Sequence, residues 1–267
     1  MRSPMTRRRR LGAATIAMLA AGSFTLAACG DDGDDSAADD TTENTAASAD
    51  NVEFCENVAA VDAAFAVAGP DEPPDPATVG PLLDTVEQSA PEDISADVTA
   101  VVTEFKSALS DPASEGPSDE ATATLNEIYQ WMPENCDATE FAVDAKEYSF
   151  EGVPETVAPG VAMVELANNG KEVHELVMVR INDDVDDSLE DIAALPQEEA
   201  LGKVTPVAVT YADPGSSSFS SANLDEGRYG ILCFIPQGAT PEAMASDQEL
   251  AGMPHFMAGM LKEFQVS

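Results

Sequence analysis

Two spacings of apolar residues divide the chain. From Asn51 to Cys136 they return at helical intervals, in "NVEFCENVAAVDAAFAVA", "TVGPLLDTVEQSA", "ISADVTAVVTEFKSALS" and "SDEATATLNEIYQWMPENC". Four helices are predicted, with a break over the proline-rich stretch Pro70 to Pro81 and with Ser118 and Asp119 available to cap the fourth. After Cys136 the period shortens. The runs "TEFAVDAKEYSF", "VAMVELANN", "HELVMVRI", "PVAVTYA", "SSSFSSANL", "RYGILCFI" and "MLKEFQVS" alternate apolar with polar and are separated by Gly, Pro, Asn and Asp. Seven such runs predict a Greek-key β-sandwich, with helical insertions at "DSLEDIAALPQEEALG" and "TPEAMASDQELAG". The fold class expected is therefore α then β: a small helical bundle over residues 52–137, then a sandwich over 138–267.

The amino-terminal residues fit neither pattern. A basic start, Arg2 and Arg7 to Arg10, precedes a small apolar run that ends in Leu26-Ala27-Ala28-Cys29-Gly30. Residues 1–28 read as an export signal. The end of the run resembles the bacterial lipobox, which implies cleavage before Cys29 and a lipid on its sulfur. The arginine run also suits a twin-arginine route. Residues 30 to 51 have no aromatic residue and no aliphatic larger than alanine, so with Cys29 they are expected to form a disordered acidic tether over 29–51. The expected location is the extracytoplasmic face of the cell membrane, anchored by lipid and not spanning.

Charge narrows the partners. Removing the signal leaves 7 bases against 50 acids. Nucleic acid is excluded as a natural partner, whereas metal cations and basic proteins would be drawn in.

Four cysteines and two histidines carry the candidate chemistry. With Cys29 assigned to lipid, Cys55 and Cys136 lie at the two ends of the helical segment and are expected to form a disulfide outside the cytoplasm. Cys233 is left unpaired. Both imidazoles fall in the β-region, His174 after an Asn-Gly turn and His255 within "GMPHFMAGM". Taken singly, each has an ordinary reading: a hydrogen-bonded polar histidine, a buried thiol, a methionine filling a gap in the core. Taken together, two imidazoles, a thiolate and a thioether are the donor set that favours copper over calcium or magnesium.

Three stretches carry a resemblance to the cupredoxins, the blue copper family. "APGVAMVELANNGKEVHELVMV" is similar to that family's turn, strand and first copper histidine. "GRYGILCFIP" is similar to the strand that ends in the copper cysteine. "PHFMAGMLKEFQV" is similar to the His-to-Met stretch and closing strand. The resemblance covers about residues 140 to 267 and implies copper as cofactor, with His174, Cys233 and His255 in a trigonal plane and Met260 as the long axial ligand. Met253 and Met257 compete for that axial role. One departure is the spacer: 21 residues separate Cys233 from His255, where the family usually has only a few, so "IPQGATPEAMASDQELAGMP" must loop out and return. The function expected is membrane-anchored electron transfer with a basic redox partner and no enzyme activity. The alternatives are Cu(I) binding or delivery through a patch of Met244, Met253, Met257 and Met260, and a metal-free cupredoxin-like binding module.

Overall fold

The computed structural model describes residues 48–68, 74–111, 114, 116–246 and 250–267. The expected signal, Cys29 and most of the acidic tether lie outside the described residues. Among those described, no helix is long and apolar enough to cross a membrane.

Four helices come first: α1 (Ala49–Ala68), α2 (Pro76–Ser89), α3 (Ser95–Ser110) and α4 (Asp119–Asn135). α1 begins inside the stretch expected to be tether, because the Ser48 hydroxyl accepts from the Asn51 amide and so satisfies one open donor of the first turn. The break after α1 is also shorter than the proline count suggests. Pro76 occupies the first turn of α2, where its missing N–H costs nothing, and Asp75 caps the helix through the Ala77 amide at 3.0 Å. Ser118 caps α4 through Ala121.

Among the described residues, nine strands and three short α-helices follow. The strands are β1 (Thr139–Lys146), β2 (Ser149–Glu151), β3 (Thr156–Val157), β4 (Gly160–Asn168), β5 (His174–Ile181), β6 (Val204–Ala212), β7 (Ser217–Leu224), β8 (Gly227–Leu232) and β9 (Leu261–Val266). α5 (Leu189–Ala193) and α6 (Gln197–Leu201) fill the first predicted insertion, and α7 (Pro241–Met244) lies in the second. The first predicted strand run divides at a turn into the β1–β2 hairpin, and the two-residue β3 has too few alternations to be seen in the sequence.

One sheet has the order β2-β1-β4-β7 and the other β3-β9-β8-β5-β6. Their facing sides bury one core, which includes Val143, Leu166, Leu176, Met178, Ile231 and Phe264. The helices form a third layer: α1, α2, α3 and α4 share a second core with Val161 and Met163 of β4. α1 is apolar on more than one side because it packs against α2 as well as against β6 and β7. Cys55 and Cys136 form the expected disulfide, which joins α1 to the end of α4 across 81 residues of sequence. β5 lies between β6 and β8 and runs antiparallel to both, so the start of β5 and the end of β8 meet at one rim of the sandwich.

Candidate metal centre

That rim gathers the candidate ligands. His174 opens β5, Cys233 follows the last residue of β8, and His255 begins a 3₁₀ turn (His255–Ala258) that leads through Gly259 into β9. The turn is tied to the strand it faces. Phe256 N–H donates to the Cys233 carbonyl at 2.9 Å, Met260 N–H to the His255 carbonyl at 3.1 Å, and Cys233 N–H to the Met260 carbonyl at 3.3 Å. The long spacer loops out and is closed at its neck. Pro236 and Pro254 form an antiparallel bridge, and Gln237 N–H donates to the Met253 carbonyl at 2.9 Å. Gly252 makes this closure possible, since a β-carbon there would lie 2.2 Å from the Gln237 carbonyl oxygen.

His174, Cys233 and His255 are fully buried, and their donor atoms lie within 4.8 Å of one another. His255 Nδ1 is 3.3 Å from His174 Nδ1 and 3.3 Å from Cys233 Sγ. Donors that share one ion at bonds of about 2.0–2.3 Å stand roughly 3.3–3.8 Å apart, so these separations suit a shared cation.

The far edges of the rings explain why the lone pairs converge. His255 Nε2 lies 3.0 Å from Glu172 Oε2, and His174 Nε2 lies 3.6 Å from Glu147 Oε1. A carboxylate beside Nε2 holds the proton on that nitrogen and leaves Nδ1 as the bare donor. Two bare Nδ1 atoms at 3.3 Å repel unless a cation lies between them. His174 Nε2 has no partner within hydrogen-bond distance, so its tautomer rests on charge, that of Glu147 at 3.6 Å and then that of Glu172. Gly170 leaves room for that approach: a β-carbon there would lie 2.5 Å from Glu147 Oε1 and 2.7 Å from His174 Nε2.

Both carboxylates are themselves anchored. Glu147 accepts from the Lys171 and Glu172 amides. Glu172 accepts from Gly238 N–H at 2.7 Å and from the Tyr148 hydroxyl at 3.1 Å, and the Tyr148 ring lies 4.6 Å from that of His255. Burial raises both acids, but the donors around them outweigh it, so both stay ionised below the usual range. Burial lowers both histidines, His174 further through its neighbour His255, so each is neutral at pH 7 and ready to ligate. Burial and the Glu175 and Glu172 charges push the Cys233 thiol up to about 12. A metal must therefore displace its proton.

The sulfur also accepts from the Glu175 amide at 3.4 Å, with the Ile235 amide as a further backbone donor. The Glu175 carboxylate, itself buried, accepts from Phe234 N–H at 3.0 Å and from Tyr211. Met260 is fully buried in the same cluster as Cys233, whereas Met253 and Met257 are 52% and 62% exposed. Met244 also faces outward, so the four methionines do not make one surface patch. Glu147, Tyr148, Glu172 and Glu175 were missed in the sequence. The one available hint was "EVHE", which sets acids two before and one after His174.

No protein-family model and no curated protein sequence matches the chain. Solved structures match about half of it. They include an auracyanin from the photosynthetic bacterium Roseiflexus castenholzii, at 20% identity, 49% of this chain, 98% of that chain and a TM-score of 0.32. Auracyanin A from Chloroflexus aurantiacus, described as a blue copper protein, matches at 13% identity, 49% and 99% coverage and a TM-score of 0.31. Rusticyanin from Thiobacillus ferrooxidans matches at 15% identity, 49% and 79% coverage and a TM-score of 0.30. These matched structures are cupredoxins. In this chain, His174, Cys233 and His255 form a group able to hold copper.

Proposed function

We propose that this protein is a membrane-anchored, extracytoplasmic type 1 copper protein that carries electrons and is not an enzyme. The observation that carries the reading is the buried meeting of two imidazole Nδ1 atoms and one thiol, with a carboxylate beside the outer nitrogen of each ring. His174, Cys233 and His255 would hold the ion, and the buried Met260 would offer a thioether as a weaker fourth donor. Copper bound there supplies a one-electron couple. The protein's part is to hold the rings in one tautomer, exclude water and keep the donors fixed, so that little has to move when the charge changes. The burial of all three donors and the ties between the 3₁₀ turn and β8 support that role.

The partner is a basic redox protein. Support comes from the acidic composition and from exposed apolar side chains close to the ligands: Phe234 beside Cys233, Met253 and Met257 flanking His255, and Tyr211 paired with Glu175. Association should slow as salt rises. Anchoring rests on the lipobox resemblance at Cys29. A second reading, Cu(I) delivery, is favoured by the exposed thioethers of Met244, Met253 and Met257.

The test is a visible spectrum of the protein with one equivalent of Cu(II), followed by reduction and reoxidation. Electron transfer requires an intense thiolate band that Cys233→Ser removes and that cycles reversibly with one electron per protein. A colourless complex, or a band that survives in Cys233→Ser, would end the proposal. Cu(I) affinity that falls when the three exposed methionines become leucine, with the band unchanged, would favour delivery.

A further inference from the structure

A second candidate site lies between the helical layer and the sandwich; it contains none of the metal ligands and shares with their surroundings only Tyr211, which bonds Glu175. A cleft of about 610 Å³ opens between α1, α3, α4 and the β6–β7 hairpin. That is room for roughly twenty waters at about 30 Å³ each, and it lies within the roughly 300–1,000 Å³ usual for small-molecule sites. Protein interiors are close-packed, and voids larger than a water are few. This cleft is open to solvent on one side, so a ligand can enter it without the walls parting.

Its walls are apolar and aromatic. Phe54 and Val58 line the inner part, and Phe65 and Phe105, edge to face at 5.8 Å, stand with Leu125 in partly exposed positions. Polar groups collect at the hairpin side, with Tyr211, Asp213 and Ser218 among them. The walls are also cross-linked. The disulfide ties α1 to α4. Asp62 of α1 accepts from the Tyr129 hydroxyl of α4 at 2.7 Å and from both the amide (2.7 Å) and hydroxyl (2.6 Å) of Ser221 in β7. Lys106 of α3 bridges Asp84 and Glu87 of α2. Braced walls around unfilled apolar space cannot collapse to fill it, and a cleft already shaped for its ligand loses little entropy on binding.

We infer that this cleft binds a neutral, apolar, ring-bearing small molecule with a hydrogen-bonding end directed at Tyr211 and the β6–β7 hairpin. The apolar walls argue for neutrality, because a charge of either sign would lose its hydration there, and the charge argues against an anion in particular: 50 acids against 12 bases, with Asp62 and Asp213 on the lining itself, repel one. The aromatic side chains argue for a ring.

The test uses the full chain without added metal and two dyes on one aryl-amine skeleton: neutral N-phenyl-1-naphthylamine and its sulfonated, anionic relative 1-anilinonaphthalene-8-sulfonate. The neutral dye should bind at one saturable site, at least ~10-fold more tightly than the anion. The single tryptophan, Trp131, packs on the cleft residue Phe54 with ring centroids 6.0 Å apart, so excitation of Trp131 should sensitise the bound neutral dye. Leu125→Trp narrows the cleft, and Thr122→Trp does so from an exposed position at the lining, where folding is little disturbed. With direct dye excitation, each folded variant should bind the neutral dye at least ~10-fold more weakly, while Phe234→Ser on the exposed rim of the metal centre should bind it as before. Unchanged binding in folded Thr122→Trp, loss of binding in Phe234→Ser, equal affinity for both dyes, or no saturable binding would each overturn the inference.

Discussion

Replacing Asp62 by asparagine tests the link between the helical layer and the sandwich. Asp62 keeps some surface open to the cleft it lines, yet it is surrounded by protein, and burial raises its carboxyl from 3.8 to about 6 although Ser221 and Tyr129 donate to it. A folded pKa above the unfolded one means that the folded state binds the proton more tightly. The stability this contributes is complete below about pH 3.8 and is lost as pH rises through about 6. A rise from 3.8 to about 6 corresponds to at most about 3 kcal/mol. Asparagine has nearly the same shape and cannot ionise. Its oxygen can accept both Ser221 donors, and the Tyr129 hydroxyl can turn to accept from the new amide. Urea unfolding of wild type and Asp62→Asn should therefore be compared at intervals from pH 4 to pH 8, with the disulfide intact. The other acids titrate in both proteins and cancel in the difference. Asp62→Asn should gain about 2–3 kcal/mol relative to wild type between pH 4 and pH 7. A difference that stays flat across that range, or falls as pH rises, would refute the account of Asp62 as a carboxylate strained by burial.

Binding of Cu(II) at neutral pH should release about one proton per ion, because the Cys233 thiol is protonated and both histidines are neutral; a weakly buffered titration reads this, and release should vanish in Cys233→Ser. Affinity should fall on acidification as protons compete for the same nitrogens and sulfur, and tighter binding at pH 5 than at pH 7 would contradict the ligand set. Glu172→Gln weakens the hold on His255 Nε2 and should lower metal affinity by roughly 10–100-fold with little change in melting temperature. Gly252→Ala forces a β-carbon against the Gln237 backbone and should cost about 1–3 kcal/mol by thermal unfolding, together with a loss of copper affinity as the neck of the loop opens. Replacing Cys55 and Cys136 together by serine should cost up to about 4 kcal/mol of stability and leave the visible band unchanged, since the bridge lies in the helical layer.

The helices and most strands were legible from spacing because each depends on neighbours a few residues away. "TVGPLLDTVEQSA" and "HELVMVRI" carry their periods within a dozen residues, and the caps Ser118 and Asp75 act on amides two or three positions on. Where local signs conflicted, the three-dimensional setting decided. Pro76 and Pro81 were taken for a break, yet one starts α2 and the other lies inside it. The two-residue β3 exists only because β9 lies beside it.

The kinds of donor, soft and borderline, were decided by residue identity, as were the acidic surface and the separation into an α part and a β part. Convergence was decided by the fold. His174 and His255 are 81 residues apart, and they meet because β5 and β8 run antiparallel while the neck at Pro236 and Pro254 returns the long loop to its starting point. Glu147, Tyr148 and Glu172 reach the rings by the same route, from turns whose charges look like any other acids in a chain that has 50. Burial then made the histidines neutral and the thiol hard to ionise. Such shifts arise from water excluded by packing in three dimensions, which the order of residues along the chain does not record.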